Sequence, residues 1–187
     1  PVLVGPFEVD GEDARQWLGR PNPNGRPNSD VMRPLTNGRD ITARSRGQWV
    51  VDFSAKSVAE SSLYEHPFDH VKKHVKPLRD QNRDESRKTH WWLHGRLGTD
   101  WRNAVGNFRR YIATTRVAKH RTFVFIPTIC WPSDAVVGIA RDDDTTFGIL
   151  HSRIHEIWSL RMGTSLEDRP RYTPTTCFET FPFPEGL

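Results

Sequence analysis

The side chains best placed for chemistry in this sequence are its histidines and one run of cations. His66, His70 and His74 recur at every fourth position, as do the pairs His90/His94 and His151/His155. On a helix such spacing brings the rings to one face, as a zinc site requires. Against that reading, no Glu follows the first His of a pair as in HExxH, no Cys lies near, and Pro67 interrupts the first trio. Asp142–Asp144, with His151 and His155, offer a second set of groups for a metal-dependent hydrolase. Three acids between a strand and a helix more often favour that helix's N-terminus. The sequence holds no Gly-x-Ser-x-Gly, P-loop or GxGxxG pattern. No catalytic residue and no metal ligand is therefore assigned.

The cations fare better. In "IATTRVAKHRTFVFIP" two β-prone runs enclose Arg116, Lys119, His120 and Arg121. Such side chains grip phosphate oxygens or offer donors to guanine in the major groove, and His120 can donate or accept at a base edge. Arg79, Arg83, Arg87, Lys88, Arg96, Arg102, Arg109 and Arg110 would add a sequence-independent phosphate grip. Trp91, Trp92 and Trp101 suit either base stacking or, more commonly for Trp, core packing.

The charge balance agrees with a polyanionic partner. From His70 to Arg121 there are 14 Lys and Arg against 4 Asp and Glu, whereas the rest of the chain holds 13 against 19. A basic middle between acidic flanks suits a surface facing nucleic acid. With 187 residues the chain is long enough to bury a core, and seven Trp and ten Phe supplement a hydrophobic fraction of only 35%. No apolar run approaches the roughly 18 residues of a membrane span, so no membrane partner is expected. Cys130 and Cys177, without a CxxC, read as free thiols of a cytoplasmic protein. A start at Pro1 reads as a piece of a longer protein.

The elements that must hold these groups read as α+β, with a mixed or antiparallel sheet and packed helices. The whole chain 1–187 is taken as one domain, with an extended, loop-rich portion at 1–46 and a proline-rich tail at 164–187, extended from Arg171. Within the first portion, "PNPNGRPNSDVMRPLTNGRD" is dense in turn-formers and predicts a long ordered loop without regular elements. "GEDARQWLGR" predicts a short helix, and Gly47–Ser54 a buried strand. A long helical pattern follows from Ser57, with Pro67 starting a new turn and Pro77 kinking or ending it. A further helix falls within Thr89–Ile112. Strands are expected at Tyr111–Ala118, Thr122–Pro127 and Ala135–Ala140. Thr146–Gly163 predicts one amphipathic helix whose apolar face includes Ile149, Leu150, Ile154, Ile157, Trp158 and Leu160.

Six segments, "PNPNGRPNSDVMRPLTNGRDIT", "WVVDF", "YEHPFDHVKKHVKPLR", "RYIATTRVAKHRTFVFI", "FGILHSRIHEIW" and "RYTPTTCFETFPFPEG", stand in this order. Together they resemble the MmeI-like, type IIL group of adenine-specific DNA methyltransferases, many fused to a restriction nuclease. The likeness covers nearly the whole chain and falls in the region after the methyltransferase domain. It implies a target recognition domain, a non-catalytic module that reads double-stranded DNA. The same likeness implies base-reading roles for Arg116, Lys119, His120, Arg121 and Thr122. Asn28, Asp30, Asn37 and Asp40 are added as loop groups that pair with bases, contact the methyltransferase domain, or bond their own backbone. No "DPPY"-type motif and no Gly-rich S-adenosylmethionine loop occurs here. By resemblance, S-adenosylmethionine belongs to the parent enzyme and its N-terminal methyltransferase domain, which this module would assist in extracting an adenine from the stack. A protein-docking module and the metal-dependent hydrolase stand as rival readings.

Overall fold

In the computed structural model the described residues are 5–166 and 168–186. In chain order they form β1 (Glu8–Val9), α1 (Gly11–Leu18), β2 (Met32–Thr36), α2 (Gly38–Thr42) and β3 (Trp49–Val51). Then come α3 (Val58–Ser62), α4 (Glu65–His74), α5 (Lys76–Asp80), α6 (Glu85–Thr89) and α7 (Thr99–Val105). The strands β4 (Arg110–Thr115), β5 (Phe123–Pro127), β6 (Trp131–Pro132) and β7 (Val136–Ile139) follow. The helices α8 (Asp144–Leu150) and α9 (Arg153–Met162) and the strands β8 (Thr164–Leu166) and β9 (Arg169–Arg171) come next, and short helical turns stand at Asn28–Asp30 (3-10) and Pro174–Phe178 (π). The α+β class read from the sequence holds. The chain divides into two compact units, one reaching Leu35 and resuming over Arg46–Thr99, the other made of Thr36–Ser45 and the residues from Asp100 onward. These boundaries differ from a loop-rich portion at 1–46, because the segment after Leu35 packs with the later strands.

In the first unit β3 pairs antiparallel with both β1 and β2, setting Val50 opposite Glu8 and opposite Arg33. β2 lies inside the stretch expected to lack regular structure, and it contains Pro34. The ladder tolerates this proline because Leu35 N donates to Gln48 O at 2.8 Å, and hydrogen-bonded pairs alternate in an antiparallel ladder. Pro34 therefore occupies a non-bonded position toward β3, where its missing N–H costs nothing. The long helical pattern breaks into four short helices. Ser57 and Glu60 form a capping box at α3, Pro67 lies in the first turn of α4, and Pro77 in that of α5. Phe7, Val31, Met32, Val50, Tyr64 and Val71 form the buried interior.

The second unit is built on β5-β4-β7, an antiparallel sheet with β4 at its centre. Its side chains alternate between two buried faces, as a strand's period of two demands. Ile112, Phe123, Val137 and Ile139 pack with Leu150, Tyr172 and Cys177 on one side. Tyr111, Ala113 and Val136 pack with Val105, Ile41 and Trp101 on the other. Gly138 is needed on that second face, since a Cβ there would lie 2.4 Å from the Trp101 ring.

Three expectations for this unit are corrected. The single helix over Thr146–Gly163 is two helices, broken where Ser152 turns extended and its hydroxyl accepts the His155 N–H at 3.2 Å as an N-cap. Nor does α9 bury the predicted apolar face. His155 and Ser159 are buried, while Ile154, Ile157 and Leu160 are 72%, 54% and 54% exposed. Both polar side chains find partners there: His155 Nε2 meets the Tyr172 hydroxyl at 3.0 Å, and the Ser159 hydroxyl donates to the Glu156 carbonyl at 2.9 Å. The tail, expected to be extended from Arg171, instead forms a turn of π-helix at Pro174–Phe178, and the β8–β9 hairpin precedes it.

Candidate nucleic-acid interface

The connection between β4 and β5 presents the cationic corner. Lys119, His120 and Thr122 are exposed at its tip. Arg116 leans the other way, its Nε donating to the Asp134 carbonyl at 2.9 Å. Arg121 does not point outward at all. Its guanidinium donates to Thr114 Oγ1 at 3.1 Å, to the Thr115 carbonyl, and to the Pro170 carbonyl at 3.3 Å. It lies over the Tyr172 ring, 5.0 Å from the centroid. Burial lowers its pKa from the ordinary value, without discharging a group that holds its proton in all but extreme settings. The Arg121 side chain is thus engaged inside the protein rather than offered to a base edge.

Beside this connection runs β9. Ala118 N donates to Pro170 O at 3.3 Å, Tyr172 N to Arg116 O at 2.8 Å, and Val117 forms a bridge with Arg171. The start of α2 closes the third side. There the Asp40 carboxylate accepts the Asn37 N–H at 2.6 Å and Asn37 Oδ1 accepts the Gly38 N–H at 2.6 Å. Together these segments wall a cleft of about 610 Å³ whose lining includes Asn37, Arg39, Arg116, Asp134, Arg169 and Arg171. Four guanidinium-bearing residues against one carboxylate make it cationic, and guanidinium forks match phosphate oxygens. Arg39 and Arg169 belong to no motif in the sequence. Only the fold brings them together.

The other predicted contacts separate into exposed and internal groups. In the first unit Arg83 and Arg96 are exposed, while Arg87 pairs with Asp84 at 3.2 Å and Lys88 with Glu85 at 2.6 Å. Arg79 is a correction. It is 2% exposed, donates to the Leu93 carbonyl at 3.1 Å and lies over the Phe7 ring, so it fills the interior and cannot meet a phosphate from there. Asn28 is likewise fully buried. Its amide donates to the carbonyl of Trp17 at 2.7 Å, near the end of α1, and accepts from Asn22, so it does turn chemistry. Asp30 accepts from the Tyr64 hydroxyl at 3.3 Å. In the second unit Arg109 is exposed, Arg102 lies 4.0 Å over the Trp131 ring, and Arg110 caps the Phe125 ring while pairing with Asp144 at 2.8 Å.

The tryptophans pack rather than forming an open stacking platform. Trp92 is buried and donates to the Lys56 carbonyl at 2.9 Å, Trp91 lies against Phe68, and Trp101 meets the Tyr111 ring edge-on. The residues of the hydrolase reading also have structural roles. Asp143 caps α8 by accepting the Thr146 N–H at 2.7 Å, and His155 is buried on Tyr172. Burial alone would raise the Asp143 pKa, but hydrogen bonds from Thr146 and Arg141 hold it down at about 2. Among the described residues no group of three or more His, Cys, Asp or Glu is placed to hold a metal ion, and no helix is long and apolar enough to cross a membrane.

The family model of the MmeI target recognition domain matches residues 24–185. The chain belongs to this family. Its match therefore spans both compact units, from the turn-rich stretch before β2 to the tail beyond the hairpin. Among curated protein sequences none matches the chain. Its fold is similar to that of a solved structure described as the type IIL restriction-modification enzyme MmeI in complex with DNA, with a TM-score of 0.74 at 17% identity. That likeness covers 96% of this chain but only 23% of the MmeI chain, so the target recognition domain family accounts here for about a quarter of such an enzyme's length.

Proposed function

We propose that this chain reads double-stranded DNA through the face where the β4–β5 connection, the β8–β9 hairpin and the start of α2 converge. In this reading Lys119, His120 and Thr122 reach base edges. Arg116 joins Arg39, Arg169 and Arg171 on the phosphates of one strand, with Asn37 beside them, while Asp40 acts through the cap that fixes Asn37. Arg83, Arg87, Lys88, Arg96 and Arg109 add a sequence-independent grip, to which Arg102 and Arg110 contribute less because their guanidinium groups already cover aromatic rings. Asp30 stays with its intramolecular partners. The observation that carries the proposal is the cationic cleft bordered by an exposed, base-sized set of polar side chains, in a member of a target recognition family.

Within a parent enzyme, the module would hold the duplex while an S-adenosylmethionine-dependent methyltransferase domain of the same chain flips and methylates an adenine at N6. Such a parent acts in the cytoplasm and can carry a nuclease as well. The MmeI relative, whose structure contains DNA, supports this reading. A second reading, docking to a protein surface, draws on the exposed aliphatic stripe Ile154, Ile157 and Leu160 of α9.

Fluorescence anisotropy on a randomised duplex pool, from low to physiological salt, with sequencing of the bound fraction, tests both. Steeply salt-sensitive binding that enriches one short motif is expected. Failure to bind any duplex at low salt would reject DNA reading by this chain and favour docking.

A further inference from the structure

We propose that Arg121 is a positioning residue that locks the β4–β5 connection to the β8–β9 hairpin, so that the cations of both segments meet a duplex in one fixed arrangement. The inference rests on the DNA-reading function proposed above. Arg121 sits between Lys119–His120 and Thr122, all exposed, yet its own guanidinium turns inward onto oxygens of two separate segments, Thr114 and Thr115 on β4 and Pro170 on β9. Pro170 O receives two donors at once, the Ala118 N–H and Arg121 Nη2, and so ties the hairpin to the connection at one atom.

The hairpin needs such a tie. Thr164, Ser165, Leu166, Arg169 and Arg171 are all exposed, so buried side chains do not hold it in place. Its described attachments to the sheet run through Pro170, Arg171 and Tyr172 to Arg116, Val117, Ala118 and Arg121. Tyr172 supports the guanidinium from below and is itself held by His155. A planar fork reaches these oxygens from two nitrogens, Nη1 and Nη2, whereas lysine offers all its donors from one. Arg116 and Val117 on one side of the tie, and Arg169 and Arg171 on the other, line the same cleft. Loosening the tie would therefore change the spacing between cations without removing any cation that lines the cleft.

The variants Arg121→Lys and Arg121→Gln test this in two independent ways. Amide hydrogen exchange, without DNA, is expected to accelerate about tenfold at 116–122, 164–166 and 168–171 in both variants, while Ile112 and Ala113 at the centre of β4 stay protected. In binding, the preference for the enriched duplex over a scrambled one is expected to fall roughly tenfold in Arg121→Lys, with affinity for the scrambled duplex and the salt slope unchanged. Three results would overturn the proposal. One is unchanged exchange of the hairpin. Another is acceleration throughout the unit, β4 included, which would mark general stability. The third is full discrimination in Arg121→Lys with a salt slope lowered by about one in Arg121→Gln, which would mark a direct phosphate contact. If the unmodified chain does not discriminate between duplexes, the DNA-reading function fails, and the exchange measurement still decides whether the lock exists.

Discussion

His155 supplies a stability change whose size and sign follow from its surroundings. The ring is fully buried on α9, with Nε2 3.0 Å from the Tyr172 hydroxyl, Phe181 packed edge-on at 4.6 Å, and Nδ1 without a hydrogen-bond partner. Protonation would place an unsatisfied N–H and a net charge in that setting. Burial first, and the Arg121 guanidinium second, push its pKa down to about 4. An unfolded chain has an ordinary His value of about 6.5, so between these limits the unfolded state binds a proton that the folded state refuses. The contribution is fully present above the unfolded value and is lost as pH falls toward the folded one. From pH 7 to pH 5 the loss amounts to about 2 kcal/mol. Urea unfolding at the two pH values, for the unmodified chain and for His155→Gln, reads it as a shift in midpoint. His70 is also lowered, chiefly by burial and then by His74, and its effect cancels between the two proteins. If unfolding shows two transitions, the effect belongs to the unit that contains α9. An equal loss in His155→Gln, or none in the unmodified chain, would refute the reasoning.

Other consequences are as concrete. Lys119→Ala should weaken duplex binding and lower the salt slope by about one if Lys119 holds a phosphate. Relaxed preference at a single base position would mark it as a base reader, and salt titrations on enriched and scrambled duplexes separate the two. Gly138→Ala drives a methyl group into the Trp101 ring and should cost about 1–3 kcal/mol or more in urea unfolding, with near-ultraviolet circular dichroism reporting the displaced indole. Tyr172→Phe removes the hydroxyl partner of His155 and should cost roughly 1–3 kcal/mol. Asp143→Ala removes the α8 cap and should cost about 1 kcal/mol at neutral pH. Because the Asp143 pKa lies at about 2, the difference between that variant and the unmodified chain should shrink as pH falls from 4 toward 2.

Periodicity made the second unit's sheet legible. β5 and β7 lie within the ranges predicted from alternation and β4 begins one residue before its own, because both faces of the sheet are buried. Short elements were harder to see. β2 hid among turn-formers because Pro34 argues against a strand until its register is known. The face that α9 buries was misread because His155 and Ser159 pack inward on hydrogen bonds, which hydropathy does not register. Charge located the cationic corner but could not say which cations face outward. Arg121 and Arg79 look as available as Lys119 in the sequence, yet hydrogen-bond acceptors close in space draw both inward. Arg39 and Arg169 are not legible as partners in the sequence, because their convergence depends on chain segments that lie far apart in it.

The pattern of burial around β4 also bears on how such a module can change over generations. Its central residues, Tyr111–Thr115, are all buried, so almost any replacement there is felt by the packing. A few positions later Lys119, His120 and Thr122 stand in solvent, where exchanges usually shift stability by no more than about 0.5 kcal/mol. Selection can therefore sample new side chains at the tip while the stem that supports them stays under purifying constraint. Arg121, in the middle of the exposed tip but bonded to the stem, should drift far more slowly than its immediate neighbours.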